Sequence, residues 1–281
     1  MRRIHTDVII QNIKEMCIEA NYQLASDVES RVRGAYEEEE SLLGRQILEQ
    51  LGENLDIAAA DHIPICQDTG MAIVFVALGQ GLQVEGEYLE DAINEGIRQG
   101  YEEGYLRKSV VGDPLLRKNT GDNTPGIIHY EIVSGDGLEL IVAPKGFGSE
   151  NMSRIYMLKP SDGITGVKNA VIDAVKLAGP NACPPVVVGV GIGGSFEKCG
   201  ILAKKALTRS MEEPSPLEHI RRMEEELLEE INRLGIGPGG LGGRITALGV
   251  NIEIYPTHIA GLPVAVNICC HVNRHVKRKL L

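Results

Sequence analysis

Cys66 stands in Pro64-Ile65-Cys66-Gln67-Asp68-Thr69-Gly70, where a soft metal ligand lies directly beside an amide and a carboxylate. A thiolate suits iron or zinc, and an acid two residues on can move a proton at whatever a metal activates. The same fragment also fits plain packing of a small side chain in a turn. Two further stretches extend the metal reading, Ala182-Cys183-Pro184-Pro185 and the pair Cys269-Cys270. None of the six cysteines forms a CxxC pair, which removes the usual zinc-ribbon and thioredoxin patterns. Neighbours on a strand face opposite sides, so only one of Cys269 and Cys270 can serve a common site. Cys17, among helical residues, and Cys199, on a helix after a glycine loop, read as packing.

Two glycine-rich turns could approach a ligand. Gly189-Val190-Gly191-Ile192-Gly193-Gly194 follows a strand and precedes a helix, so it formally fits GxGxxG. Dinucleotide binding then requires a second strand ending in an acid about 20 residues on. Here the helix from Phe196 runs into another from Pro216 instead. Two readings remain: an anion held at a helix N-terminus, or close packing of strand on helix. Lys145-Gly146-Phe147-Gly148-Ser149-Glu150-Asn151 is the second turn, and its glycines leave backbone N–H groups open to approach.

The formal net charge of −11 argues against nucleic acid or an anionic membrane surface as the partner. An anionic metabolite remains open, since Arg107, Lys145, Arg244 and His258 could supply a local positive cluster. Hydrophobic residues at 43% and charged residues at 24% describe a globular chain able to bury a sizeable core. After Arg2 and Arg3, the apolar run Val8-Ile9-Ile10 breaks at Gln11, so neither a signal-peptide core nor a membrane span is expected. A cytoplasmic setting follows as the expectation, and there cysteines act as ligands, catalysts or packing rather than disulfides.

The elements that must position these residues read as mixed α/β in one domain, with a helical N-terminal part followed by mixed sheet and packed helices. Apolar spacing predicts helices over 8–24 and 37–51, the second stopped by Gly52. A buried strand over 72–78 follows the Cys66 turn, then a helix over 89–101. Strands 127–133 and 138–143 flank Ser134-Gly135-Asp136-Gly137 and read as a hairpin. Helix 164–178, strand 186–190 and helix 196–211 come next. Ser215 as N-cap, Pro216 at the first position and Glu218 as the box acid then announce a helix. Its apolar stripe is Leu217, Ile220, Met223, Leu227, Ile231 and Leu234, with Gly235 closing it and the acids Glu224 to Glu226, Glu229 and Glu230 as its solvated face. The glycine-rich loop 235–243 leads into strands 245–255 and 263–268.

Five fragments together resemble the class I fumarases, iron–sulfur hydro-lyases with L(+)-tartrate dehydratase as a close relative. They are Ile65-Cys66-Gln67-Asp68-Thr69-Gly70, Gly148-Ser149-Glu150-Asn151, Ala182-Cys183-Pro184-Pro185, Gly239-Gly240-Leu241-Gly242-Gly243 and Cys270-His271-Val272-Asn273-Arg274. They run in family order from about residue 60 onward. The single-chain enzymes continue into a second domain, whereas this chain stops at Leu281. The resemblance therefore implies the α subunit of the two-subunit form, in an α2β2 assembly with a separate β subunit.

Residue by residue, the resemblance implies Cys66, Cys183 and Cys270 as ligands of a 4Fe–4S cluster with one iron not ligated by protein. Asp68 would protonate the departing hydroxyl of a small dicarboxylate. Gln67, Arg107, Gly148 and His258 would bind that substrate. The base that removes the other proton would come from the partner chain. The reaction implied is reversible hydration of fumarate to L-malate, or alternatively dehydration of L(+)-tartrate. A non-catalytic iron–sulfur subunit would need a fourth ligand, with Cys199 or Cys269 as donor.

Overall fold

The computed structural model describes residues 2–281. In chain order its elements begin with β1 (Arg2–His5), α1 (Thr6–Tyr22), α2 (Ser26–Glu38), α3 (Leu42–Asp61), β2 (Met71–Gly79), β3 (Leu82–Glu85) and α4 (Leu89–Glu103). Then come β4 (Ile127–Val133), β5 (Leu138–Lys145), α5 (Phe147–Glu150), β6 (Arg154–Leu158), α6 (Gly163–Ala178), β7 (Val186–Gly193) and α7 (Phe196–Ala206). The series closes with α8 (Glu218–Asn232), β8 (Ala247–Tyr255), β9 (Leu262–Cys269) and β10 (Val276–Lys279). The expected α/β class is what forms. The residues gather into two compact units, the first of residues up to Ala25 with Leu55–Phe147 and Arg274–Leu281, the second of Ser26–Asn54 and Gly148–Asn273. No helix of the described residues is long and apolar enough to cross a membrane.

The first unit is a four-stranded sheet in the order β10-β5-β2-β4. On β2, Ala72, Val74 and Val76 alternate onto the face that packs with Ile9, Ile13, Met16 and Cys17 of α1 and Ile93, Ile97 and Tyr101 of α4. The expected hairpin does not form. Both strands appear where predicted, but β2 lies between them, parallel to β4 and antiparallel to β5. A strand as apolar as β2 needs a neighbour on each side, and the 134–137 loop wraps its end instead of closing a turn. Gly79 N–H donates to Gly137 O, Gln80 N–H to Val133 O and Gly81 N–H to Gly135 O, each at 2.8 Å.

The basic stretch Lys277-Arg278-Lys279 falls on β10. β10 is an edge strand antiparallel to β5, and lysines on an edge discourage further strand pairing. Lys277 pairs with Glu139 at 2.9 Å, while Arg278 bridges Glu15 and Glu19 of α1 at 2.7 and 2.6 Å.

The second unit is a sheet in the order β6-β9-β7-β8 with helices on both faces. Strand alternation on β7 explains its composition. Val186, Val188 and Val190 join the core shared with α6 and α8. The odd positions lie under α7, where a Cβ on Gly189 would stand 2.2 Å from Ala203 O and one on Gly191 2.0 Å from Cys199 O. Close helix packing therefore accounts for the GxGxxG pattern.

Helix boundaries moved where buried carboxylates intervene. The expected 37–51 helix is interrupted between α2 and α3, and α3 runs past Gly52 to Asp61. A glycine in a helix costs only about 1 kcal/mol relative to alanine, too little to end one. The interruption is centred on Glu39, which is fully buried. Its Oε1 accepts from the N–H groups of Glu40 (2.9 Å), Ser41 (2.8 Å) and Arg244 (2.9 Å), and its Oε2 from Ile245 N–H (2.8 Å).

The expected cap at Ser215 is also replaced. α8 begins at Glu218 with Leu217 at the N-cap and no side-chain cap. The Ser215 N–H donates to Glu224 Oε2 at 3.3 Å. Glu224 is buried rather than solvated, since its Oε1 takes Ile252 N–H at 2.7 Å and pairs with Arg209. Glu225, Glu226 and Glu229 stay exposed as expected. α7 stops at Ala206, short of the predicted 211.

Glu39 carries a stability prediction with a pH sign. Burial alone would raise its carboxyl, but the four N–H donors outweigh it and hold it below the ordinary glutamate range. Its stabilisation is thus fully present above about pH 4.3 and is lost as pH falls through the lowered pKa. Glu39→Gln sets an amide N–H against one of these donors and should cost about 3 kcal/mol at neutral pH. Urea unfolding at pH 7 and at pH 3 checks it, and the difference between variant and parent should shrink in acid.

Candidate functional site

In the first unit the Cys66 loop joins α3 to β2 and is fastened almost entirely through its backbone. Ile65 N–H donates to Asn21 O at 2.9 Å. The buried Tyr101 hydroxyl reaches Thr69 O at 2.9 Å and Gly70 O at 3.0 Å, and Asn123 Nδ2 donates to Gly70 O at 3.1 Å. Burial pushes the Tyr101 phenol far above its ordinary range, so it remains a donor. Gly70 takes φ +77°, and a Cβ there would stand 2.7 Å from the Lys145 backbone. Thr69 Oγ1 donates to Arg107 O at 3.1 Å, which sets Arg107 beside the loop.

Within that frame Asp68 is half-buried, with Gln67 and Arg107 exposed around it. Asp68 Oδ1 accepts from Gly70 N–H and Oδ2 from Phe147 N–H, each at 3.0 Å. The buried Arg274 anchors the same residue from behind, its Nη2 donating to Asp68 O at 2.6 Å and its Nη1 to Asn21 Oδ1 at 2.9 Å. Lys145, also buried, donates to Gly146 O at 3.2 Å. The structure thus brings Cys66, Gln67, Asp68 and Arg107 together. Tyr101, Asn123 and Arg274 were missed as their supports. Arg274 closes one of the family-like fragments and offered a signal; the other two carried none.

Arg274→Ala would leave two acceptors without their donor in a buried place, a loss of roughly 2–4 kcal/mol. Hydrogen–deuterium exchange should show faster exchange in residues 64–70 of that variant than in Arg274→Lys, which keeps one donor. Equal protection in parent and Arg274→Ala would remove the anchor.

In the second unit the register collects several candidates at one end of the sheet. Cys183 precedes β7, Cys270 follows β9, and Val187 pairs with Cys269, so both cysteines lie at the same end. His271 Nδ1 lies 3.4 Å from Cys183 O, which ties the two turns together. Cys183 is exposed, in the left-handed region at φ +53°, and Gly239 N–H holds the next turn through Pro184 O at 2.8 Å. The 148–151 turn comes to this end as well, because Glu150 Oε2 accepts from Asn267 Nδ2 at 2.9 Å. Gly148 is exposed, and a Cβ there would meet nothing within 4 Å.

His258 is not brought to that end. It follows β8 past the pairing of Gly193 with Tyr255, the whole length of the eight-residue β7 away, about 25 Å. Its Nδ1 accepts from Ala260 N–H at 3.1 Å, leaving Nε2 outward on an exposed ring. Arg244 is tied to Glu40 at 3.2 Å.

The cysteines separate by burial. Cys17, Cys199 and Cys269 are buried, whereas Cys66 and Cys270 are half-buried and Cys183 is exposed. Burial pushes the Cys17 thiol up to about 12 and raises that of Cys199, which also donates to Phe196 O at 3.2 Å. Neither favours the thiolate that a metal needs. Cys269 shares the α7 face with Ala265, two strand repeats before it, and is used in packing. Among the described residues, no three His, Cys, Asp or Glu side chains gather around a single-ion site. Cys66, Cys183 and Cys270 are the accessible thiols, and an accessible thiolate is the donor type that an iron–sulfur cluster takes.

A family described as fumarate hydratase (Fumerase) matches residues 10–279. A protein of Methanocaldococcus jannaschii, provisionally named L(+)-tartrate dehydratase subunit alpha, is 43% identical over 98% of this chain and 97% of its own length. The L(+)-tartrate dehydratase subunits alpha of Escherichia coli and Shigella boydii are each 32% identical over 90% of this chain and 84% of their own length.

Proposed function

The chain belongs to the fumarate hydratase (Fumerase) family, and from that premise we propose that it is the α subunit of an iron–sulfur hydro-lyase that hydrates fumarate to L-malate reversibly. The observation that carries this reading is the family match across nearly the whole chain, with the five sequence fragments inside it. Cys66, Cys183 and Cys270 would hold a 4Fe–4S cluster. When bound, such a cluster supplies one iron without a protein ligand, a Lewis acid for a substrate hydroxyl and carboxylate.

The chain's own residues would do the rest. Asp68 would deliver the proton that turns the departing hydroxyl into water, from a loop whose backbone fastening keeps its carboxyl in place. Arg107 would grip a substrate carboxylate, a role suited to its planar pair of donors. Gln67 would add a neutral hydrogen bond, and Gly148 would offer its N–H without a side chain in the way. His258, at the other end of its sheet from Cys183 and Cys270, would reach a substrate from a second copy of the chain in an α2β2 assembly. The proton-abstracting base would come from the β subunit, in keeping with relatives named subunit alpha.

One observation favours a second reading. The relatives at 43% and 32% identity are named for L(+)-tartrate, whose dehydration would use the same residues. Anaerobic turnover of the chain with its second subunit, offered L-malate and L(+)-tartrate side by side, separates them. Fumarate from malate with tartrate poor supports the fumarase; oxaloacetate from tartrate transfers the function to the second reading. Turnover of neither would remove the hydro-lyase.

A further inference from the structure

Between α4 and β4, residues 105–123 form an arm held mostly by hydrogen bonds among its own residues. Val111 bridges Asn119 in antiparallel fashion, Gly112 N–H donates to Lys118 O at 2.9 Å, and Thr120 N–H to Val110 O at 3.0 Å. At the base, Asn123 Oδ1 accepts from the N–H groups of Ser109 (2.6 Å) and Val110 (3.1 Å). At the tip, Asp113 Oδ1 accepts from Leu115 N–H (2.8 Å) and Leu116 N–H (2.7 Å), and Arg117 turns the chain at φ +60°. The arm is thus ordered by its own backbone together with the Asp113 and Asn123 side chains.

What it presents is unlike the rest of the chain. Leu115 and Leu116 are 87% and 83% exposed at the tip, and Tyr105 is 90% exposed at the root. A single exposed leucine is ordinary; two together on a preorganised turn form a patch. Around them stand Arg107, Lys108, Arg117 and Lys118, all exposed and none in an ion pair among the described residues. The one acid of the tip, Asp113, is spent on holding the turn. In a chain of net charge −11, this is a concentrated basic and apolar feature.

We propose that this arm docks the second subunit of the enzyme, seating Leu115 and Leu116 in an apolar recess ringed by carboxylates. The proposal rests on the two-subunit reading above. Charge selects the occupant: basic groups that find no acid among the described residues suit an acidic partner face, while the net −11 repels an anionic lipid surface. Position supports it too. The arm rises from Arg107, the arginine assigned to a substrate carboxylate, so a subunit seated on it would stand beside the substrate. An arm already ordered loses little entropy on binding.

Sedimentation velocity of the full chain mixed with its purified second subunit tests the proposal, using the parent, Leu115→Ser with Leu116→Ser, and Arg117→Glu with Lys118→Glu. Each double variant should weaken the complex by about tenfold or more, and the charge reversal should also flatten its dependence on salt. The isolated variants should melt like the parent, since the altered side chains lie in solvent. Parent-like affinity in both variants would overturn the docking role and leave the two-subunit reading standing. No complex with the parent chain would remove both. Leucine-dependent binding of the chain to anionic phospholipid vesicles, with an unaffected subunit complex, would assign the arm to a membrane instead.

Discussion

Cys66→Ser, Cys183→Ser and Cys270→Ser are each expected to take the purified, anaerobically reconstituted enzyme from about four irons per chain to nearly none. The soft thiolate is what an iron–sulfur cluster binds, and a serine hydroxyl replaces it with a hard, weakly acidic oxygen. The same experiment on Cys17→Ala, Cys199→Ala and Cys269→Ala should leave iron and acid-labile sulfide unchanged. Those three thiols are buried, and burial raises the pKa of the first two. The contrast decides the matter because all six changes are small. Removing a small buried side chain costs about 1–2 kcal/mol, which lowers stability without stripping a metal. Equal iron loss in both groups would mean that folding, not ligation, had been measured. Loss in Cys199→Ala or Cys269→Ala alone would supply the fourth ligand of an electron-transfer cluster and end the open-iron reading.

Burial sorts these cysteines in a way their spacing does not. Cys66, Cys183 and Cys270 stand far apart in the chain with no local pattern, and only the family resemblance chose them. The structure adds why two of them share a neighbourhood: antiparallel pairing of β7 with β9 puts the start of one strand beside the end of the other. That is a long-range fact, and local periodicity carries no trace of it. The same limit explains the failed hairpin. Residues 134–137 read as a hairpin turn and do leave the strands there, but which strand would lie beside β4 depended on the burial demand of β2. Strands and helices with strong apolar alternation, such as β2, α4, α6 and β7, were legible because their own residues dictate the period. β1, β3 and β10 were not, since four residues with one apolar face give no signal until a neighbour exists. The buried acid Glu224 was misread for a related reason, and nothing in the sequence set Glu39 apart. A carboxylate that collects backbone N–H groups from a distant segment looks, in sequence, like any surface glutamate.

Asp68→Asn is expected to lower turnover by about 10²- to 10⁴-fold, the range for loss of a positioned proton donor, while iron content stays at the parent level. The size matters because Asp68 also has a structural job. Its two oxygens accept from Gly70 and Phe147 N–H groups, and an asparagine can satisfy only one of them with its oxygen. One unmet hydrogen bond on a half-buried group costs about 1–3 kcal/mol of stability. Below the melting temperature that leaves nearly every molecule folded and cannot remove two decades of kcat. A chemical role and a bracing role therefore separate by magnitude. If Asp68 only braces the loop, Arg274→Lys should depress turnover about as much as Asp68→Asn, since both loosen the same backbone. If Asp68 carries the proton, Arg274→Lys should cost little in kcat and Asp68→Asn nearly everything, with KM for the dicarboxylate changed less than kcat in both. Near-parent turnover in Asp68→Asn would take Asp68 out of the chemistry and leave it as the residue that holds Gly70 against Phe147.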